Sequence, residues 1–341
     1  MRSDVGQCQL EPAARERGRP ANSAGDRALR RIAYVLVPNF SMLAFTSAIE
    51  PLRGANDLTE QELYQWTTVA PGGGLVAASN GVEILGRSEH DAAEAFDRIV
   101  VCSGLGAESF RDRRLFGWLR RQARLGADVG AISDGAYILA RAGLLDGHRC
   151  TVHWRCLDAF RETFPHIEAT GELFEIDRKR FTCCGGTGAM DLMLSMVAGD
   201  CGRDLANRVA ENFIHQHIRR ESEPQRMPSH VRLGTRHPKL IRVVEDMENH
   251  LEERISCAEL AARNRLSERQ LERLFRTHLD CTPSGYYLEL RLQRARNLVL
   301  QSALPIVEVA LGCGFGSASH FSRRYHQRFG TPPQRDRAGT R

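Results

Sequence analysis

The 341-residue chain is long enough for two domains with separate cores, and its hydrophobic fraction of 42% and charged fraction of 26% are ordinary for globular proteins. No apolar run approaches the roughly 18 residues of a membrane span, and the first 30 residues lack the apolar region of a signal peptide, so we expect a cytoplasmic protein. The ten cysteines include no CxxC pair, which favours buried, reduced thiols over disulfides or zinc. We therefore expect no metal and no cofactor.

Positive charge is concentrated in the last third of the chain. Residues 235–341 carry 18 Lys and Arg against 12 Asp and Glu, whereas residues 31–234 carry 23 against 26. All but one of those 18 bases are Arg, whose guanidinium group can form paired hydrogen bonds with guanine edges or phosphates. This distribution predicts that the C-terminal part of the chain contacts double-stranded DNA.

The N-terminal half alternates between strand and helix patterns. Residues 1–30 lack apolar periodicity and are predicted to be a disordered leader. Short apolar runs then predict strands over residues 32–37, 63–70, 82–85, 98–102 and 127–132. Helical spacing lies between and after them, over residues 42–52, 113–125, 136–142, 157–164, 188–198 and 204–217. The alternation predicts an α/β domain with a largely parallel sheet over residues 31–218.

Residues 219–238 are polar, contain prolines and show no period, which predicts a linker. Purely helical spacing follows from residue 240. Two pairs, Ser256 with Glu259 and Ser267 with Gln270, fit capping boxes, and Thr282 precedes a helix predicted to reach residue 301. Pro305 is predicted to open a further helical unit, and Gly330 to end its last helix.

Within this helical region, residues 256–333 contain the same unit twice. Leu271 aligns with Phe321, and Arg273 aligns with Arg323. A short helix, a turn and a longer basic helix form a helix-turn-helix unit, which reads DNA with the first turns of its second helix. A helical bundle with a solvated charged face is the alternative, but the matching caps and arginines favour DNA recognition. The predicted outward side chains are Arg269, Gln270, Arg273, Ser319, His320, Ser322 and Arg323.

The tail resembles the AraC-type DNA-binding domain. The resemblance rests on ELAA at residues 259–262, LSERQLERLF at 266–275, YLELRLQRA at 287–295, VALGCGF at 309–315 and SHFS at 319–322. It implies an all-α double helix-turn-helix domain over residues 239–335. Arg269 and Arg273 would lie near bases in one major groove and Ser319 and Arg323 in the next, with Ser322 at a phosphate. Residues 332–334 depart from the family pattern, and we expect that last turn to fray.

Residues 127–136 place small residues around a strand-to-helix turn at Ser133, which is the backbone setting of a nucleophile elbow. Residues 31–218 resemble the flavodoxin-like class I glutamine-amidotransferase domain, through VPNF at 37–40, GAISDGA at 130–136, ARAGLLDG at 140–147 and TVHW at 151–154. Enzymes of that superfamily carry Cys at the elbow, where this chain has Ser133. Ala44 replaces the carboxylate expected on the first helix, and Glu50 lies further along.

Three roles for Ser133 stay open: a nucleophile with His153 as base, a helix cap, or part of a ligand pocket that reuses the elbow. The combination of both domains is similar to the GlxA-type group of AraC-family regulators. Within that group it is most similar to the glycine-betaine- and carnitine-responsive regulators, through GELFEID at 171–177, FTC at 181–183, GG at 185–186, RHPKL at 236–240 and YYLEL at 286–290.

That resemblance implies a small zwitterionic effector such as a betaine, carnitine or an amino acid. A cation prefers aromatic faces, for which Phe40, Tyr137 and Trp154 are candidates, although each also fits a core position. A carboxylate prefers hydrogen-bond donors, for which Ser133, His153 and the Gly104 amide are candidates.

We therefore expect a transcription regulator, an activator rather than an enzyme, that dimerises, binds DNA and an effector, acts with RNA polymerase and controls catabolism of its effector. The alternatives are an amidase- or protease-like hydrolase with a DNA-binding appendage, and a constitutive DNA-binding protein whose first domain only dimerises.

Overall fold

The N-terminal half of the chain is built around one mixed β-sheet. The computed structural model describes residues 29–339, so the predicted leader lies, except for its last two residues, outside the described residues. The strands are β1 (Arg30–Leu36), β2 (Tyr64–Ala70), β3 (Gly74–Ala77), β4 (Glu83–Ser88), β5 (Arg98–Cys102), β6 (Asp128–Ile132), β7 (Arg149–Thr151), β8 (Glu168–Thr170), β9 (Phe174–Asp177) and β10 (Arg180–Cys183).

Eight strands form the sheet in the order β3-β4-β2-β1-β5-β6-β10-β9, and β7 pairs with β8 separately. The six strands β4-β2-β1-β5-β6-β10 are parallel, and the edge strands β3 and β9 pair antiparallel to their neighbours. This is the flavodoxin-like arrangement, in which strand order reverses beside β1. The predicted flavodoxin-like α/β class and largely parallel sheet are confirmed.

Helices cover both faces of the sheet: α1 (Met42–Thr59), α2 (Arg113–Arg124), α3 (Ala136–Arg141), α4 (Leu157–Thr163), α5 (Gly188–Cys201) and α6 (Arg203–Asn212). Helices α1, α5 and α6 enclose one core, and α2, α3 and α4 enclose the other. Strand β1 is apolar on both faces because Tyr34 points into the first core and Val35 into the second. The sheet edge at the carboxyl ends of the strands is left for the loops that form the candidate site.

Several parts of the N-terminal prediction differ from the structure. Helix α1 continues through Pro51 to Thr59, beyond its predicted end at residue 52. Helix α6 ends at Asn212 rather than near residue 217, because Ile214 adopts a left-handed φ of 57°. The Phe213 ring packs so closely on α1 that a Cβ at Gly54 would lie 2.7 Å from it. Strands β3, β7, β8, β9 and β10 were not predicted, since each has only three or four residues.

The C-terminal half is helical, as predicted. After the four-residue helix α7 (Ser229–Arg232) come α8 (Pro238–Asn249), α9 (Cys257–Arg263), α10 (Glu268–Leu279), α11 (Pro283–Gln301), α12 (Ile306–Gly312), α13 (Ala318–Phe329) and α14 (Pro333–Gly339). Ser267 and Gln270 form the predicted reciprocal capping box. Ser256 accepts from the Glu259 amide, but the Glu259 carboxylate pairs with Arg263 at 2.7 Å, so this second box is only half formed. Helix α11 has its predicted start and end.

The prediction that residues 332–334 fray is wrong. They begin α14, which packs against α11 and α13. The Asp336 carboxylate accepts hydrogen bonds from the Tyr325 hydroxyl at 2.8 Å and from Arg296 Nε at 3.1 Å. Arg337 Nε donates to the Val299 carbonyl at 2.8 Å. These contacts involve partners 11 to 40 residues away, which local sequence does not reveal.

The nine cysteines between residues 29 and 339 are all free thiols, and six of them are buried. Across the same residues, no helix combines the length and apolar character needed to span a membrane. The two halves of the chain also touch, because Ala159 of α4 is fully buried in a core otherwise formed by α11, α12 and α13.

Candidate effector site and nucleic-acid interface

Residues 132–136, here called the elbow, turn the chain sharply from β6 into α3. Ser133 has φ 58°, a left-handed conformation that is unusual for a residue with a side chain. The surroundings enforce this turn. A Cβ at Gly185 would lie 2.8 Å from Ser133 Cβ, and one at Gly135 would lie 2.6 Å from the Val101 carbonyl oxygen. The elbow therefore has the strained backbone that its small residues predicted.

Two hydroxyl groups meet the sheet edge at the elbow. Cys102 of β5 pairs with Ile132 of β6, so Ser103 and Ser133 leave neighbouring parallel strands side by side. Ser103 is 1% exposed and Ser133 8% exposed. Within residues 29–339 the Ser103 hydroxyl is buried without a hydrogen-bond partner, and the Ser133 hydroxyl forms no hydrogen bond either. Unpartnered buried donors at the carboxyl edge of an α/β sheet mark a place for a ligand. Ser103 was not among the residues predicted from the sequence.

His153 and Trp154 lie in the turn between β7 and α4, with their ring centroids 5.5 Å apart. Burial, and then the charge of Arg155, lowers the pKa of His153 to about 4, so its imidazole is neutral at pH 7. Trp154 is 36% exposed, and its ring holds two guanidinium groups, that of Arg155 at 5.2 Å and that of Arg226 at 4.8 Å. The indole face is therefore already a cation-binding surface.

The other two aromatic candidates lie in the core. Phe40 is 0% exposed and packs edge-on against Phe45 at 5.8 Å, while Tyr137 is 1% exposed and packs against Phe160 at 5.0 Å. Of the three predicted aromatic residues, only Trp154 presents an exposed ring face. The structure does not bring the three rings together as one cage.

Gly104 is also buried, and it allows two loops to approach closely. A Cβ there would lie 2.5 Å from the Asn39 carbonyl oxygen, and Gly104 forms an isolated bridge with Phe40. This close approach accounts for glycine at position 104.

Ser133 lacks the partners of a catalytic nucleophile among the described residues. Ala44 of α1 is 1% exposed and has no carboxylate, while Glu50 pairs with Arg53 at 2.7 Å. The one hydrogen bond of the His153 ring in this part of the chain is from the Arg155 amide to Nδ1, at 3.3 Å. A serine hydroxyl needs an oriented base to attack, and these contacts do not provide one.

Two residues of the candidate site, Asp134 within the elbow and Cys156 next to it, were missed from the sequence. Asp134 follows Ser133, and its carboxylate accepts a hydrogen bond from Cys156 Sγ at 3.1 Å. Burial raises the pKa of Asp134 to about 6, and it also raises the pKa of the Cys156 thiol. The sequence feature that could have indicated them is the spacing of His153 and Cys156, which is typical of neighbouring metal ligands.

The predicted linker is attached to this site. The Gln225 amide donates to Thr151 Oγ1 at 3.0 Å and to the Val152 carbonyl at 3.1 Å, directly before His153. The next residue, Arg226, lies over Trp154 and reaches the Glu248 carboxylate of α8 at 3.5 Å. A single side chain therefore contacts both the candidate effector site and the first helix of the C-terminal domain.

In the first helix-turn-helix unit, α9 and α10 pack through Leu260, Leu271 and Phe275, which are at most 1% exposed. Arg269, Gln270 and Arg273 point to solvent on α10, as predicted. The Gln270 side chain is engaged in the helix cap, where it accepts from the Ser267 amide at 2.9 Å. Neither Arg269 nor Arg273 has an ion pair among residues 29–339, so both guanidinium groups are available to DNA.

The second unit has the same plan. Phe321 and Tyr325 of α13 are 0% exposed, as predicted for its buried face. Ser319, His320 and Arg323 are exposed and Ser322 is half-buried. The His320 ring packs on Phe315 at 6.0 Å, so part of its surface is committed to the scaffold. Arg323, like its counterparts on α10, forms no ion pair within the described part of the chain.

Helix α11 joins the two units rigidly. Arg291, which is 6% exposed, donates from Nε to the Cys313 carbonyl at 2.6 Å and also hydrogen-bonds the Gly314 carbonyl. Its guanidinium group lies 4.2 Å from the Phe315 ring centroid. Two helix-turn-helix units fixed to one helix, behind an α/β domain, are the architecture of a DNA-binding transcription regulator.

Comparison with known proteins agrees with this class. The DJ-1/PfpI family model matches residues 30–199, and the helix-turn-helix domain model matches residues 260–339. The HTH-type transcriptional regulator GbdR of Pseudomonas aeruginosa is 47% identical over 308 residues, which is 90% of this chain and 84% of that protein. The regulator CdhR of the same organism is 44% identical over 305 residues, 89% of this chain and 90% of that protein.

The chain belongs to the family of AraC-type transcriptional regulators that carry an N-terminal DJ-1/PfpI domain. The resemblance inferred from the sequence is thereby confirmed. A solved structure of a THiJ/PfpI family protein from Pseudomonas syringae covers 66% of this chain and 93% of its own, with a TM-score of 0.51 and 20% identity. That likeness supports the fold of the N-terminal domain.

Proposed function

We propose that this regulator is controlled by a small zwitterion, a betaine, carnitine or an amino acid, that binds beside the elbow and changes how α10 and α13 engage DNA. The observation that carries the proposal is the exposed Trp154 ring, which already holds two guanidinium groups. A quaternary or primary ammonium group of an effector would occupy the same face. The family resemblance supports the choice of a zwitterion.

The carboxylate of the effector would bind to the unpartnered hydroxyls of Ser103 and Ser133. Ser103 Oγ is buried without a partner, Ser133 Oγ forms no hydrogen bond within residues 29–339, and the two residues leave adjacent strands. His153 lies between Ser133 and Trp154 in the sequence. Its imidazole is neutral at pH 7 and supplies a further hydrogen-bonding group. Phe40 and Tyr137 support the site from the core rather than by contact with the ligand.

On the DNA side, we propose that Arg269 and Arg273 contact bases in one major groove, and Ser319 and Arg323 contact bases in the next. His320 and Ser322 would contact the backbone, and Gln270 would fix the start of α10. The regulator would act as a homodimeric activator with RNA polymerase and control catabolism of its effector, as the family resemblance implies.

A thermal-shift screen of the full-length protein tests the effector. One of glycine betaine, carnitine and the common amino acids should raise the thermal midpoint by roughly 5–10 °C at a hundredfold excess over Kd. Trp154→Leu should abolish the shift, and Trp154→Phe, which keeps a weaker ring face, should retain part of it. If no zwitterion shifts the midpoint, the protein is a constitutive DNA binder.

Ser133→Ala separates regulation from catalysis. It should leave DNA binding without effector unchanged while reducing the thermal shift, because only one hydroxyl remains for the carboxylate. The strained elbow also keeps a hydrolase in consideration. Loss of a measurable amidase or protease activity in Ser133→Ala would establish that alternative instead.

A further inference from the structure

Three side chains with different metal-binding atoms meet beside the elbow. Asp134 belongs to the elbow itself, and His153 and Cys156 belong to the turn between β7 and α4. One ligand atom from each lies within 4.8 Å of the other two. Cys156 is buried, whereas Asp134 and His153 are partly exposed, so a small ion could reach the cluster from solvent. The hydrogen bond from Cys156 Sγ to Asp134 occupies its centre at 3.1 Å.

We propose that Asp134, His153 and Cys156 form a binding site for a divalent transition-metal ion, with Zn²⁺ as the best match. Thiolate, imidazole and carboxylate together are a zinc donor set, since softer sulfur and nitrogen ligands disfavour Mg²⁺ and Ca²⁺. Tetrahedral zinc, with bonds of about 2.0–2.3 Å, holds its ligand atoms roughly 3–4 Å apart. The cluster therefore needs only small side-chain movements to close around an ion.

The contacts within the cluster suit replacement of a proton by a metal ion. The thiol proton of Cys156 points to the Asp134 carboxylate, and a dication would take the position of that proton and be bound by both groups. The proton is released to solvent on binding. The neutral His153 ring has a lone pair on Nδ1 that accepts only a 3.3 Å hydrogen bond from the Arg155 amide. On metal binding, each of the three side chains would therefore exchange one weak hydrogen bond for a bond to the metal ion.

The charges around the cluster are consistent with this site. Burial raises the pKa of Asp134, and the nearby Glu108 carboxylate raises it further. Negative charge gathered in a partly buried place is stabilised by a bound cation. The positive charge of Arg155 would repel a bound cation. Its guanidinium group, however, lies over the Trp154 ring, 5.2 Å from the ring centroid.

A catalytic Cys156 is the less favoured use of the same residues. In the described structure its thiol donates to a carboxylate rather than to the His153 imidazole. Burial, and then this contact with Asp134, raises the pKa of the thiol and disfavours the thiolate that a nucleophile requires. A metal ion reverses that preference because a coordinated thiol is deprotonated.

Three protein ligands leave one tetrahedral position for water or for an external carboxylate. A bound ion would also fix the turn before α4 against the elbow. The proposal does not depend on which effector binds, or on whether one binds, because its ligands all come from this chain.

Titration of the reduced full-length protein with Co²⁺, which adopts zinc geometries and is coloured, tests the site. We expect one Co²⁺ per chain, a near-ultraviolet sulfur-to-cobalt charge-transfer band, and competitive loss of the band on addition of Zn²⁺. Cys156→Ser should lose the band, because the serine hydroxyl can keep the hydrogen bond to Asp134 but cannot bind as a thiolate. His153→Gln should weaken Co²⁺ binding by more than about tenfold, the loss that even an outer-shell change can cause.

Cys201→Ser and Cys281→Ser are matched controls, since both thiols are partly exposed and lie outside the cluster. Both should retain the band and the stoichiometry. The proposal is overturned if the unmodified protein shows no thiolate band, or if the band survives in Cys156→Ser. Thermal midpoints of the metal-free variants verify that each is folded, and a folded His153→Gln that still binds Co²⁺ with full affinity also overturns it.

Discussion

The Asp158 carboxylate accepts a 2.9 Å hydrogen bond from Nε of Arg294, which joins α4 of the N-terminal domain to α11 between the two DNA-reading units. Arg294 also donates to the Gly312 carbonyl at 3.0 Å, in the turn of the second unit. The turn that carries His153 and Trp154 leads into α4. The candidate effector site is therefore connected to the second helix-turn-helix unit by a short path through α4.

Asp158→Asn should loosen this connection without unfolding either domain. Asp158 is 44% exposed at its side chain, so the ion pair is worth at most about 1 kcal/mol. We expect limited proteolysis within residues 219–238 to become up to about fivefold faster, as that free energy allows. Glu162→Gln, on an exposed part of α4, removes the same charge and should leave the cleavage rate unchanged. Equal rates in both variants would show that the contact does not restrain the domains.

Arg273→Ala and Arg323→Ala should each weaken specific DNA binding by about 1–3 kcal/mol and relax discrimination at their own base positions. Both side chains are exposed and unpaired within the described residues. The measurement is a gel-shift series with a duplex selected from a randomised pool and with single-base variants of it. Arg242→Ala on α8 loses the same charge outside the recognition helices, and it should not change discrimination. Unaltered base preference in Arg273→Ala would remove that residue from the reading surface.

Arg226→Gln should change effector binding and DNA response in opposite directions. Arg226 occupies the Trp154 face, so its removal frees the ring and should tighten effector binding by about two- to fivefold. The same change breaks the contact with Glu248, so the effector should alter DNA affinity less. Effector titrations by calorimetry and anisotropy with labelled operator measure the two quantities.

Arg155→Gln is the matched control for Arg226. It also removes a guanidinium group from the Trp154 ring, but among residues 29–339 no hydrogen bond or ion pair links Arg155 to the C-terminal domain. We expect tighter effector binding with an undiminished DNA response. If both variants lose the response equally, the link through Glu248 does not transmit the signal.

Asp134→Asn should reveal a pH dependence of the thermal midpoint that Asp134 and His153 together conceal in the native protein. The pKa of Asp134 is raised from 3.8 to about 6, so its contribution to stability falls as pH rises between these values. The pKa of His153 is lowered from 6.5 to about 4, so its contribution rises over nearly the same window. The two trends oppose one another. In metal-free Asp134→Asn only the second remains, and the thermal midpoint relative to the native protein should increase by several degrees from pH 4.5 to 6.5. A constant difference between the two proteins would contradict these shifts.

Local patterns predicted the fold well and the site only in part. Alternation and caps placed β1, β5 and α11 within a residue or two, because short-range periodicity and cap chemistry determine where such elements begin and end. The small residues around Ser133 predicted the elbow, and the structure adds that Ser133 has a left-handed φ. Residue type alone could not distinguish the buried Tyr137 from the exposed Trp154, since the difference depends on which helix packs over each ring.

The contacts between distant segments were outside the reach of sequence patterns. Arg226 and Trp154 are 72 positions apart, and Asp158 and Arg294 are 136 apart. No periodicity links such pairs, so the attachment of the linker to the candidate effector site and the docking of α4 on α11 became visible only in three dimensions. Ser103 was missed for a related reason, because its importance comes from the register between β5 and β6.

The short helix α14 gives the end of the chain a mechanical role. The Asp336 carboxylate accepts a hydrogen bond from Tyr325, which lies on the buried face of α13, opposite the side chains that we propose contact DNA. Amide protons of α13 should therefore exchange with solvent at a rate governed by undocking of α14, and not only by fraying of α13 itself. A bulky fusion at the C-terminus would raise that opening rate and would weaken the DNA contacts proposed for α13 before those proposed for α10. Fusion at the N-terminus, before residue 29, avoids this risk to the DNA-reading surface.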